Sequence, residues 1–171
     1  MEFHGANFPG DLPLRSLDQK IRGAARCEAP VLICGAAGTG KGLIARVIHT
    51  MSRRKEGPFI KMECGTPARS RGEDDLRDPD EDGGADLPGK LAAAAGGTLF
   101  FDEIGDLPLT LQGDLLRFLE VKNGSGDLAL VRPDVRFIFT TSRSLPDLVL
   151  ENRFLEGLFY RIDSIFIQTS P

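Results

Sequence analysis

Two stretches of this sequence hold residues whose types and spacing suit chemistry on a phosphorylated ligand. The first is Gly35-Ala36-Ala37-Gly38-Thr39-Gly40-Lys41, followed by Gly42. Glycines let successive backbone N–H groups turn inward around phosphate oxygens. A helix that opens at the end of such a loop adds the positive end of its dipole. Lys41 stands where an ammonium group would reach the β- and γ-phosphates. Gly35, Gly38, Thr39, Gly40, Lys41 and Gly42 are therefore the expected nucleotide-binding residues. The usual pattern ends in Lys-Ser or Lys-Thr, whose hydroxyl helps hold magnesium, whereas Gly42 brings no side chain to that position. The second stretch is Leu99-Phe100-Phe101-Asp102-Glu103. A buried strand here delivers two carboxylates at its carboxyl end, the end where open α/β sheets place ligands. Asp102 is expected to hold magnesium through water, and Glu103 to orient or deprotonate an attacking water. A bare glycine turn, or a strand running out into a polar turn, would account for either stretch alone. The two together point to a nucleotide site.

The elements that must position these residues follow from local pattern. Val31-Leu32-Ile33-Cys34 is a short apolar run ending at glycine and reads as a buried strand. Leu43, Ile44, Val47 and Ile48 share a helix face. Strands are expected at 59–64, 98–101, 135–140 and 165–167. Helices are expected at 91–95 and 107–121, and over 145–162 with a break near Glu151-Asn152. A turn is expected at 123–126. His49, just after the face of the first helix, is expected to face solvent or cap that helix. Strands alternating with helices imply parallel pairing.

Composition narrows the class. A chain of 171 residues suits one domain, and 41% hydrophobic with 27% charged residues excludes a disordered chain, a collagen-like chain and a disulfide scaffold. No apolar run reaches about 18 residues, so no membrane span is expected. No signal peptide is visible at the amino terminus. The three cysteines have no paired spacing; Cys34 and Cys64 lie in apolar runs and read as buried thiols, which suits a reducing cytoplasm. The net charge of −4 conceals a division. Residues 69–86 hold eight acids and three bases, while the rest holds 17 acids and 18 bases. The body is nearly neutral with one acidic loop at about 66–86, and no basic nucleic-acid footprint is present, so direct DNA binding is not expected. The two histidines lack neighbours at zinc-ligand spacing.

With these residues in hand, the sequence resembles the AAA+ ATPase domain of sigma-54-dependent transcriptional activators, the bacterial enhancer-binding proteins. The resemblance runs from about Gly10 to the carboxy terminus. It rests on GAAGTGK (35–41), GPFIKMEC (57–64), AGGTLFFDEIGDLPLTLQGDLLRFLE (95–120), DVRFIFTTSRSL (134–145) and NRFLEGLFYRID (152–163). The resemblance implies an α/β fold for residues 1–171: a three-layer P-loop NTPase sandwich with a five-stranded parallel sheet. It also implies ATP with Mg2+ as cofactors, ATP or ADP as ligand, and rings formed with itself or with related activators.

The sequence departs from the family at several places. Residues 64–90 contain no GAFTGA, the motif that contacts sigma-54, so independent activation of sigma-54 RNA polymerase is not expected. Gly42 stands where the family carries an acidic residue. Glu63 replaces an asparagine that pairs with the catalytic glutamate, and is expected to crowd Glu103 with a second carboxylate. Ser142 replaces the asparagine of the first sensor, between Thr141 and Arg143. The family supplies two arginines to a neighbour's ATP; Arg161 retains the second and Leu155 stands at the first. The family continues into a helical lid and a helix-turn-helix, but this sequence ends at Gln168-Thr169-Ser170-Pro171, so the expected domain lacks a lid. Three readings stay open: an ATP-binding transcription regulator with weak or no hydrolysis, an active ATPase that remodels a partner, and a nucleotide-independent interaction module.

Overall fold

The computed structural model describes residues 11–65, 86–120 and 133–170. Its sheet consists of β1 (Val31–Cys34), β2 (Phe59–Glu63), β3 (Thr98–Asp102), β4 (Arg136–Thr141) and β5 (Ile165–Gln168), in spatial order β2-β3-β4-β1-β5. All four pairings are parallel, as the alternation of strands with helices requires. The helices are α1 (Asp11–Arg26), α2 (Lys41–Thr50), α3 (Leu87–Ala93), α4 (Leu109–Glu120), α5 (Leu145–Leu150) and α6 (Glu156–Ile162).

Alternation along the strands sorts the core into two layers. Val31, Ile33, Phe100, Ile138 and Ile167 pack with Ala24 of α1 and with Ala45 and Ile48 of α2. Leu32, Leu99, Phe101, Phe137 and Phe139 pack on the other face with Leu91 of α3, Leu115 of α4, Leu148 of α5 and Leu158 of α6. Helices on both faces of the sheet give the expected three layers. After β1 the chain crosses past β4 and β3 to reach the β2 edge. After β4 it crosses past β1 to reach the β5 edge. The carboxyl ends of β1 and β4 therefore flank the switch point of the sheet, where open α/β folds bind ligands.

Several elements differ from the local reading. Helix α1 had no counterpart in it, although Leu17, Ile21 and Ala24 at spacings of four and three form its packed face. Helix α3 begins four residues early. Asp86 caps it by accepting from the Gly89 N–H at 2.9 Å, and Pro88 sits in its first turn. Asp86 thus closes the acidic stretch as a helix cap. The break after α5 falls where it is expected, over residues 151–155, with Asn152 left-handed at φ 56°. The turn expected at 123–126 and the acidic loop over 66–85 lie outside the described residues. Among the described residues, no helix is long and apolar enough to cross a membrane.

His49 departs from the expectation. It neither faces solvent nor caps a helix; it is buried, with Nδ1 2.9 Å from the Thr98 hydroxyl and its ring against Phe59. Burial pushes its imidazole below the ordinary value, and the charges of Arg136 and Arg46 add to that. The unfolded chain therefore holds this proton more tightly than the folded one. Stability is full at higher pH and falls as pH drops below about 6.5. Urea unfolding at about pH 7.5 and about pH 5.5 should show that loss, and His49→Gln should reduce it. An undiminished loss in the variant would assign it elsewhere.

Candidate functional site

The phosphate-type loop connects β1 to α2 at the switch point. Gly38 and Gly40 each take φ +79°, a left-handed conformation that side chains rarely adopt. Gly35 is required for a different reason. A Cβ there would lie 2.9 Å from the Thr169 backbone oxygen and closer still to its hydroxyl. The Gly35 N–H donates to the Thr141 carbonyl at 3.2 Å, which ties the loop to the end of β4. The Thr39 hydroxyl donates to the Ala36 carbonyl at 2.9 Å and lies 2.7 Å from the Thr169 hydroxyl. Thr169 in turn donates from its N–H to the Cys34 carbonyl at 2.8 Å. The residue just past β5 therefore braces the loop from beneath, a role that no local pattern around Thr169 announces.

Lys41 opens α2 and is buried, at 6% exposure. Its ammonium donates to the carbonyls of Gly35 at 2.9 Å and Ala36 at 3.1 Å, and pairs with Glu103 Oε1 at 3.1 Å. Glu103 itself is left-handed, at φ 58° and ψ 58°, a costly conformation for a non-glycine residue. Its second carboxylate oxygen accepts from the Ser142 N–H at 2.6 Å and the Ser142 hydroxyl at 2.9 Å. Ser142, which stands at the first-sensor position, thus holds the carboxylate expected to act on water. Arg143 beside it pairs with Asp106 at 2.8 Å.

Asp102 ends β3. Its Oδ1 accepts from the Thr140 hydroxyl at 2.8 Å, and its Oδ2 pairs with the Lys61 ammonium at 2.8 Å. Burial by itself would raise this carboxyl. The hydrogen bonds from Lys61 and Thr140, with the charges of Lys61 and Lys41, outweigh burial and hold it below the ordinary value. Glu63 does not crowd Glu103 as expected. The β2–β3 register sets Glu63 opposite Asp102, and its Oε1 pairs with the same Lys61 at 2.9 Å. Lys61, which lies in the GPFIKMEC block without an expected role, is therefore shared by two carboxylates.

The expected magnesium position fares differently from the phosphate loop. Both oxygens of Asp102 have partners, one of them a cation, and Gly42 offers no hydroxyl. The residues present do not fit the divalent ion.

Arg161 lies on α6, half-exposed, with the Glu120 carboxylate at 3.9 Å. Among the described residues it forms no ion pair with Asp102 or Glu103, so the expected role would have to be played toward another subunit. Arg153 pairs with Glu151 at 3.0 Å. The Leu155 N–H donates to the Gln112 side chain at 2.8 Å. The two thiols near the site are held protonated. Burial pushes Cys64 up to about 12 and Cys34 up to about 11, which leaves them unreactive. A cavity of about 810 Å3 opens beside the loop, lined by Gly35, Ala36, Ser142, Arg143 and Phe166 among others. Its volume lies within the usual range for small-molecule sites.

Residues 11–168 match the sigma-54 interaction domain. The chain is 42% identical over 153 residues to the regulatory protein AtoC of Escherichia coli, covering 86% of this chain and 33% of AtoC. It is similar in structure to NtrX from Brucella abortus in complex with ATP, with a TM-score of 0.71, 32% identity, and coverage of 96% of this chain and 38% of NtrX. The P-loop NTPase domain of the sigma-54 transport activator from E. coli shares the fold, with a TM-score of 0.67, 23% identity, and coverage of 96% of this chain and 99% of that one. The chain spans less than half the length of the curated relatives it matches.

Proposed function

This chain belongs to the sigma-54 interaction domain family, and on that footing we propose that it is an ATP-binding regulator of transcription that hydrolyses ATP weakly or not at all. The observation that carries the reading is the joint placement of Lys41 and Glu103. The loop glycines turn where phosphate oxygens would lie, Lys41 stands beneath them, and Glu103 is tied down between Lys41 and Ser142. A polyphosphate would draw the Lys41 ammonium off the Gly35 and Ala36 carbonyls, since an anionic oxygen is a stronger acceptor for an ammonium than a neutral carbonyl.

Weak hydrolysis follows from two features. Glu103 gives three of its roughly four acceptor sites to Ser142 and Lys41, which restrains the carboxylate from turning toward a water. Leu155 stands where an arginine would neutralise developing charge, a contribution worth about 10³–10⁵ in rate. Arg161 remains as the candidate contact with a neighbour in a ring of like or related subunits. Without GAFTGA in residues 64–90, the chain does not open sigma-54 promoters by itself.

Calorimetric titration with ATP and with ADP, then phosphate release, then open-complex formation at a sigma-54 promoter, test the reading in sequence. Binding is expected, with turnover far below the roughly 10 per second typical of enzymes and no open complex. Absence of binding would leave the interaction-module reading. Turnover at the typical rate would establish the working ATPase instead.

A further inference from the structure

We propose that Lys61 is a built-in cation standing in for the divalent metal, so that this site holds a nucleoside di- or triphosphate without one. The inference rests on the nucleotide-binding reading and extends it to what neutralises the phosphates. Lys61 lies in β2 beside β3, with its ammonium 2.8 Å from Asp102 Oδ2 and 2.9 Å from Glu63 Oε1. Thr140 occupies the other Asp102 oxygen at 2.8 Å. Magnesium gives up its waters reluctantly and is held by one or two carboxylates together with substrate phosphates. Here the carboxylate at the end of β3 already faces a positive charge, which would repel the ion, and Gly42 supplies no oxygen.

An ammonium has three donors and carries its charge on a flexible stem. The Lys61 side chain is 45% exposed, and its contact with the largely exposed Glu63 is weakly held. It can leave Glu63 for a phosphate oxygen while keeping Asp102. Lys61 on β2 then adds one positive charge to that of Lys41 at the start of α2.

Binding of ATP and ADP is measured by calorimetry in Mg2+ and in EDTA, for the wild-type chain, Lys61→Met and Lys61→Arg. Manganese relaxation enhancement reports metal at the site directly. For the wild type, affinity in EDTA should equal or exceed that in Mg2+, because dissolved Mg2+ chelates free nucleotide, and nucleotide bound to the protein should carry no Mn2+. Lys61→Met keeps the stem but removes the charge; its affinity in EDTA should fall by about tenfold or more, with Mg2+ restoring part of it. Lys61→Arg should behave as the wild type. A wild-type affinity that falls tenfold or more in EDTA would overturn the inference while leaving nucleotide binding intact. So would a Lys61→Met variant that binds equally well in both conditions. No binding in either condition would overturn the nucleotide reading and this inference with it.

Discussion

Replacing Lys41 by Ala should abolish measurable nucleotide binding while leaving the fold intact. In the free protein the Lys41 ammonium is held by the Gly35 and Ala36 carbonyls and by Glu103. Two of these three partners keep other donors. Ala36 O still accepts from Thr39, Glu103 still accepts twice from Ser142, and Glu103 keeps partial access to water. The loss falls on the ligand. Each charge-assisted contact to phosphate contributes about 1.5–3 kcal/mol, so losing the one cation on the loop should weaken ATP by about two orders of magnitude. Calorimetric titration of the variant checks the first half, and its thermal midpoint, expected within a few degrees of wild type, checks the second. Unchanged affinity would place the phosphates elsewhere.

The largest stability effect outside the sheet is expected from Gln112→Leu. Gln112 is fully buried on α4. Its Nε2 donates to the Leu107 carbonyl at 2.7 Å and to the Arg153 carbonyl at 3.1 Å, and its Oε1 accepts from the Leu155 N–H at 2.8 Å. One side chain thus fastens the turn after Glu103 to the irregular segment between α5 and α6. Leucine has similar bulk and makes none of these bonds. A buried backbone group left without a partner costs about 1–3 kcal/mol, and solvent can reach the Arg153 side of the gap, so the total should be about 3 kcal/mol. That is a large part of the roughly 5–15 kcal/mol that holds a domain together. Urea unfolding measures it, and a loss below about 1 kcal/mol would show that the segment finds other partners. Amide exchange at Leu155 should also quicken, because its acceptor is gone.

The two predictions separate the two jobs of this site. Lys41 acts on the ligand and hardly on the fold. Gln112 acts on the fold and touches no ligand, yet it links the turn that carries Glu103 to the segment that leads into the helix of Arg161. A change in how Glu103 is held therefore has a short covalent and hydrogen-bonded route to the surface expected to meet a neighbour.

Much of this arrangement was legible in the sequence because it is encoded locally. An apolar run of four residues followed by glycines is a strand entering a loop whatever surrounds it, and β1 with its loop is found where 31–42 placed it. The run ending in Asp102 and Glu103 likewise had one sensible outcome, a buried strand with carboxylates at its carboxyl end. Alternating strands and helices determined that the sheet is parallel. Local pattern could not decide which strands lie side by side, or in what register, because both depend on contacts between residues far apart in the chain. In β2–β3 the register sets Glu63 beside Asp102, with Lys61 reaching both; a slip of one residue would have set Glu63 beside Glu103 and turned its side chain to the opposite face. The same holds for Thr169 under Gly35, 134 positions away in sequence numbering, for Ser142 on Glu103, and for His49 sealed against Thr98. In each case the sequence by itself determined that a polar group stands at the end of an element. The neighbour that neutralises, orients or buries it was decided by strand order and register, which are set by packing the two faces of the whole sheet at once.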